Sequence, residues 1–262
     1  MSIAIDDAVV NSAAPEGPPE SALVSVGRFF FKWRNAAFPV VFGVAAVLAR
    51  PTLLGGEPRT DLWLDGVGVG LCLLGQLLRC VTVGLDYIMR GGKKKRVYAD
   101  RLVTGGVFEH CRNPLYVGNL LQVTGLVVIH NSPWMYALVL PFFAFVYACI
   151  VAAEEQFLRH KFGGKYEDYC GRVGRWWVSP TGWGRTLRGA DFDWHKLVRK
   201  EYGTPFGWMT VAMLLIAWES VRNVGIDGSA RRLAFLGLAW LPLVGLYVLA
   251  RVMKKQGRLG HD

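Results

Sequence analysis

The sequence predicts an all-α, polytopic transmembrane helical bundle of about six spans, and three observations carry that reading. First, 52% of the 262 residues are apolar, 10 are tryptophan and mean hydropathy is +0.28, with the apolar residues gathered into runs too long for an ordinary soluble domain. Second, the net charge of +10 is arranged by topology. Of 30 Lys and Arg, 24 fall in one alternate set of connections, 5 in the other, and Arg79 alone lies inside an apolar run. That is the positive-inside pattern: it puts both termini in the cytoplasm, requires an even number of spans and accounts for the charge with no nucleic-acid partner. Third, 114–130 and 133–154 are apolar runs of 17 and 22 residues joined by His130-Asn131-Ser132-Pro133. As helices they measure roughly 25 and 33 Å at about 1.5 Å per residue, close to the ~30 Å hydrocarbon thickness.

Taken in order, residues 1–25 read as a disordered tail. They hold Asp6, Asp7, Glu16 and Glu20 among Pro15, Pro18 and Pro19, with neither an apolar stretch to pack nor the basic start of a signal peptide. A unit of 26–61 carries a first span over Ala36 to Leu54, interrupted by Arg50-Pro51, and an outer loop. A core of 62–180 follows, with three spans and a cytoplasmic amphipathic segment. Its first span, Leu62 to Met89, places Gln76, Arg79, Val83 and Asp86 at steps of three and four, so a polar stripe runs down one side. An arginine there must face protein, water or a ligand, so Arg79 is either functional or bonded to carbonyls of neighbouring helices. The basic loop from Arg90 to Arg101 faces lipid headgroups. Residues 181–262 form a linker and two further spans, Pro205 to Val221 and Leu233 to Val252, the second bent at Pro242.

The hairpin at 112–173 organises the core. A short turn returns its second helix to the face where the first began, so Arg112 and the Glu154-Glu155 pair meet at one membrane surface. Asn113 suits a helix cap and Pro114 the first helical position, and the helix start beside Arg112 favours an anion. Two facing carboxylates complete a grip for a zwitterion; the plainer alternative is an interfacial ion pair. Asn119 either looks into the site or bonds a neighbouring helix. Tyr166 and Tyr169 serve as a ligand cover or as interfacial anchors alongside Trp176, Trp177, Trp183 and Trp194.

These residues are where the chain resembles a known family. Gly106-Val107-Phe108, Arg112-Asn113-Pro114-Leu115-Tyr116-Val117-Gly118, and Glu154-Glu155 with Leu158, Phe162-Gly163, Tyr166, Tyr169 and Val173 are similar in order and spacing to the isoprenylcysteine carboxyl methyltransferases and phospholipid N-methyltransferases. The likeness covers roughly 65–180. Val107 stands where proline is usual, which is expected to loosen the turn ahead of the helix, and Asn113 where histidine is commoner. The resemblance implies a cytoplasmic pocket for S-adenosyl-L-methionine. Its expected binding residues are Gly106, Phe108, Arg112, Asn113, Pro114, Tyr116, Asn119, Glu154, Glu155, Tyr166 and Tyr169. Arg79, His110 and Glu155 are the catalytic candidates, His110 or a glutamate removing a proton if the acceptor is an amine. The expected partners are membrane lipid and a lipidic or small-molecule acceptor: a prenylcysteine-like carboxylate, a phospholipid amine or a small thiol. The expected location is a bacterial inner membrane.

Two other classes stay open on sequence: an NADPH-dependent enzyme resembling the sterol reductases, and a non-catalytic membrane protein. Cys72, Cys80, Cys111, Cys149 and Cys170 show neither a paired framework nor metal-ligand spacing, so packing is their expected role and no metal centre is expected.

Overall fold

The computed structural model describes residues 21–52, 58–85, 99, 101–188 and 191–260. The acidic, proline-rich stretch through Glu20, Asp86 and the loop from Arg90 to Tyr98 lie outside the described residues. What is described is helical, and it contains no strand.

Helix α1 (Ala22–Leu48) begins well before the expected start at Ala36 and takes in residues expected to belong to the tail. Arg28, Lys32 and Arg34 read as a connection in sequence, yet no breaker separates them from the apolar run, so the helix extends through them. It ends before Arg50-Pro51, which therefore does not interrupt it. Helix α2 (Pro58–Leu85) and α3 (Pro114–His130) pair antiparallel through glycines. Gly68 and Gly75 on α2, and Gly118 and Gly125 on α3, are each seven apart and so share a face. A Cβ on Gly125 would lie 2.4 Å from the Gly68 carbonyl oxygen, and one on Gly75 would lie 2.5 Å from that of Gly118. Any larger residue would force the two backbones apart.

After α3, Asn131 adopts a left-handed conformation (φ 50°) and hydrogen-bonds through its side chain to the Thr52 carbonyl, 3.1 Å. The chain re-enters helix at Pro133, passes a wide turn over Met135–Val139 and becomes α4 (Leu140–Phe162). α4 lies antiparallel to α1 across aromatic rings: Phe38 meets Phe143 at 5.1 Å and Tyr147 at 5.3 Å, both edge-on. Gly163 (φ 53°) breaks the helix, and short helices α5 (Gly164–Arg172), α6 (Trp183–Arg188) and α7 (Trp194–Glu201) follow.

The last element, α8 (Gly203–Lys255), is a hairpin of two arms. Gly225, at φ 74° and ψ 175°, reverses the chain with a backbone that favours glycine. Trp240 Nε1 then donates to Thr210 Oγ1 at 3.1 Å, and Phe206 stacks on Tyr247 at 4.3 Å. The first arm runs antiparallel to α2, with Trp208 Nε1 donating to Gln76 Oε1 at 3.1 Å. Thr60–Leu85, Met135–Phe162 and Gly203–Lys255 are long and apolar enough to cross a membrane, and Pro114–His130 is a shorter apolar helix. Many of their large apolar side chains face outward, as a lipid environment allows. The bundle therefore has two ends. One gathers Arg34, Arg79, Arg112, Glu154 and Thr204; the other gathers Asp61, Asp65, Asn131, Glu219 and Arg232.

Candidate active site

The first end encloses a cavity of about 310 Å³. Each wall comes from a different helix. α1 gives Arg34, Asn35 and Phe38; α2 gives Arg79; α4 gives Tyr147 and Glu154; the start of α8 gives Thr204. The remaining wall is the turn holding Phe108 and the start of α3, from Arg112 to Tyr116 with Asn119.

The floor is a chain of charge-assisted hydrogen bonds. Arg34 Nη1 donates to the Tyr116 hydroxyl at 2.9 Å, and that hydroxyl donates to Glu154 Oε1 at 2.7 Å. Arg79 sits deeper and almost fully buried. It donates through Nε to Glu201 Oε2 at 3.2 Å and through Nη2 to Glu201 Oε1 at 2.8 Å. Its Nη1 reaches the Leu115 carbonyl at 3.4 Å and the Asn119 side-chain oxygen. Arg79 thus lines the cavity and also bonds a carbonyl of the next helix. Its principal partner, Glu201 of α7, was not foreseen.

The adjacent glutamates part company. Side chains of neighbouring helical residues point about 100° apart, so Glu154 lines the cavity and Glu155 turns to the other side of α4. Glu155 is buried and accepts from Arg112 at 3.2 Å, from Arg175 Nε at 2.9 Å and from Arg175 Nη2 at 2.6 Å, with Arg159 at 3.7 Å. It is the anchor of an arginine cluster rather than a wall of the cavity. Arg112 also donates to Cys170 Sγ at 2.8 Å, while its buried Nε has no hydrogen-bond partner among the described residues. Burial works against the charge of Arg112, but Glu155, Cys170 and Tyr166 together outweigh it and raise the arginine's pKa.

The turn before α3 is closed by backbone hydrogen bonds. Gly106 opens it at φ 58°, and Val107 is fully buried with its carbonyl accepting from His110 N at 3.0 Å and Cys111 N at 3.2 Å. Tyr169 donates its hydroxyl to the Phe108 carbonyl at 2.8 Å, which holds the turn against α5. Tyr166 lies buried beside Tyr169, its rings 6.1 Å apart, and burial with nearby Glu155 pushes its phenol well above the ordinary range. Neither tyrosine reaches the cavity lining; they brace its rim. The Cys111 thiol is also pushed up by burial, in keeping with a packing role.

His110 does not face the cavity. Its ring stacks on Trp183 at 4.4 Å, Nε2 lies 2.9 Å from Thr186 Oγ1, and its carbonyl accepts from Ser179 N. The turn at Gly106–Glu109 directs it toward α6, outside the cavity lining. Among the expected site residues, the cavity thus brings together Arg79, Phe108, Arg112, Asn113, Pro114, Tyr116, Asn119 and Glu154. Gly106, His110, Glu155, Tyr166 and Tyr169 surround it. Sequence reasoning missed Arg34, Asn35, Phe38, Tyr147 and Thr204. In sequence Arg34 is one more of the 24 cations on the cytoplasmic side, and nothing in the motif points to α1 or α8.

A second, strongly basic cavity of about 530 Å³ adjoins the first and shares Arg34, Asn35 and Thr204 with it. Arg199, Lys200 and Lys254 supply the rest of its charge.

The phospholipid methyltransferase family model matches residues 65–165. The chain is 30% identical over 166 residues to the cobalt-zinc-cadmium resistance protein CzcN of Cupriavidus metallidurans, covering 63% of this chain and 73% of that one. It is 30% identical over 146 residues to protein-S-isoprenylcysteine O-methyltransferase B of Arabidopsis thaliana, covering 53% of this chain and 72% of the plant protein. The rat protein-S-isoprenylcysteine O-methyltransferase is 31% identical over 134 residues, 48% of this chain and 43% of the rat protein. No solved structure matches the chain.

Proposed function

The chain belongs to the family of integral-membrane methyltransferases that joins the isoprenylcysteine and phospholipid enzymes, and from that premise we propose that it is an S-adenosylmethionine-dependent methyltransferase acting on a lipidic acceptor with an anionic group. The observation that carries this reading is the 310 Å³ cavity with guanidinium, carboxylate and aromatic groups on separate walls.

The cavity suits the donor's chemistry. Arg112, whose buried Nε still lacks a partner among the described residues, would hold the donor's carboxylate beside the electropositive start of α3. Glu154 would answer its ammonium or ribose, and Phe108, Tyr116 and Tyr147 its adenine. When bound, S-adenosylmethionine supplies a methyl group activated on a sulfonium. The protein's own work is orientation. Glu155 fixes Arg112, Glu201 and Asn119 fix Arg79, and the Arg34–Tyr116–Glu154 chain fixes the floor, so the walls need not reorganise during transfer.

The adjoining basic cavity supports the anionic acceptor. Arg34 borders both spaces, so an acceptor held by Arg199, Lys200 or Lys254 lies next to the donor. A carboxylate acceptor needs no base, which agrees with the absence of a histidine or cysteine from both linings among the described residues. This end of the bundle is the cytoplasmic one by the placement of lysine and arginine.

The test is transfer of label from methyl-tritiated S-adenosylmethionine to a total lipid extract in proteoliposomes. Base-labile label is expected with wild type, marking a carboxyl ester, and loss of at least about 10-fold in Arg112→Ala, the worth of one charge-assisted hydrogen bond. No binding of S-adenosylhomocysteine and no transferred label would overturn the reading.

A further inference from the structure

The other end of the bundle carries a second concentration of charge that this function does not use. Asp61 and Asp65 lie one turn apart on α2 and so project from one face, and Glu219 approaches them from the first arm of α8, shortly before the reversal at Gly225. All three are buried, Glu219 with only 2% of its surface exposed, and one carboxylate oxygen from each lies within 4.8 Å of the others. Arg232, on the second arm, donates to Asp65 Oδ2 at 2.8 Å. Asp65 Oδ1 and both oxygens of Glu219 are buried with no hydrogen-bond partner among the described residues.

Buried acceptors without donors are costly, and so is uncompensated charge. Among the described residues, three ionised carboxylates face one guanidinium, and a single divalent cation balances the two negative charges left over. The separations also suit a cation. Three oxygens all within 4.8 Å of one another leave a point no more than about 2.8 Å from each, close to the ~2.3–2.6 Å typical of calcium. A set made only of carboxylate oxygens, without His or Cys, suits hard ions of the magnesium, calcium and manganese class.

We propose that Asp61, Asp65 and Glu219 form a binding site for a hard divalent cation, which fastens the α8 hairpin to α2 at the end of the bundle opposite the donor cavity. Asp65 and Arg79 are 14 residues apart, roughly 21 Å along α2 at about 1.5 Å per residue. The site is therefore separate from the methyltransferase chemistry and independent of it.

The experiment uses the full chain in detergent micelles, stripped with chelator and titrated with Mn²⁺ while free Mn²⁺ is read by electron paramagnetic resonance. One Mn²⁺ per chain is expected, displaced by Ca²⁺ or Mg²⁺, with Tm rising on binding. Affinity is expected to fall at least 10-fold in Glu219→Gln and in Asp65→Asn, each checked by gel filtration and helical circular dichroism. Asp61→Asn serves if either variant fails to fold. Absence of saturable binding to wild type would overturn the proposal, as would unchanged stoichiometry and affinity in the folded variants. A Glu219→Gln protein that melts higher than wild type in metal-free buffer, with wild type indifferent to Mn²⁺, would instead assign the cluster to shared protons and equally sink it.

Discussion

The two ends of α2 and of the first arm of α8 carry opposite problems. At the donor end, Arg79 is buried, Arg112 half-buried and Arg175 exposed, and each is met by a glutamate from another element: Glu201 for the first, Glu155 for the other two. Arg34 reaches Glu154 through Tyr116. At the far end, the acids outnumber the guanidinium that meets them, and three of their oxygens go unmatched among the described residues. The same two helices thus present a cationic, mostly satisfied pocket at one end and an anionic, unsatisfied cluster at the other. A satisfied network is pre-organised to receive a ligand, whereas an unsatisfied one calls for an ion to complete it.

The largest effect expected from breaking this contrast is on Arg79. Glu201→Ala leaves a buried guanidinium without its carboxylate, and chemical or thermal unfolding should register a loss of about 3–5 kcal/mol. Replacing Glu201 and Arg79 together by Leu should recover much of it, since a well-packed apolar pair removes both desolvation costs. Next comes Gly125→Leu. The side chain meets the Gly68 carbonyl within contact distance, and the seam should lose about 1–3 kcal/mol or more, seen as a lower Tm and greater detergent sensitivity. Smaller still is Tyr116→Phe, which cuts the link between Arg34 and Glu154; a loss of about 1 kcal/mol, near fivefold in donor affinity, is expected by calorimetry. The smallest expected effect is that of Glu219→Gln on donor affinity, less than about twofold, because sites this far apart with no shared partner act additively. A larger change would merge the two ends into one coupled unit.

Much of the donor end was legible because it is local in the chain. A short turn between two apolar runs obliges Arg112 and Glu154-Glu155 to share a membrane surface, and Arg112 does reach Glu155. Which glutamate faces the cavity was not legible: neighbouring helical residues diverge by about 100°, and rotational phase is fixed by packing that sequence does not display. The arginine's second partner set illustrates the same limit, since Arg175 arrives from beyond α5. Contributions from α1 and α8 were hidden for a different reason. Arg34 resembles any interfacial cation, and Thr204 any helix start, until tertiary contact brings them beside Tyr116 and Arg79. The two C-terminal runs were readable as helices, but not as one hairpin whose first residues reach the donor cavity. The acidic cluster escaped because Asp61 and Glu219 are separated by most of the chain, and a search for metal ligands that begins with cysteine spacing does not look there.

The most direct measurement of the central claim is the affinity of the purified protein for S-adenosylhomocysteine, by isothermal titration in micelles, for wild type, Arg112→Ala and Glu219→Gln. Saturable binding at one per chain is expected for wild type and Glu219→Gln, with a loss of at least about 10-fold in Arg112→Ala. Equal affinity in all three folded proteins would contradict a donor grip built on Arg112 at this end of the bundle.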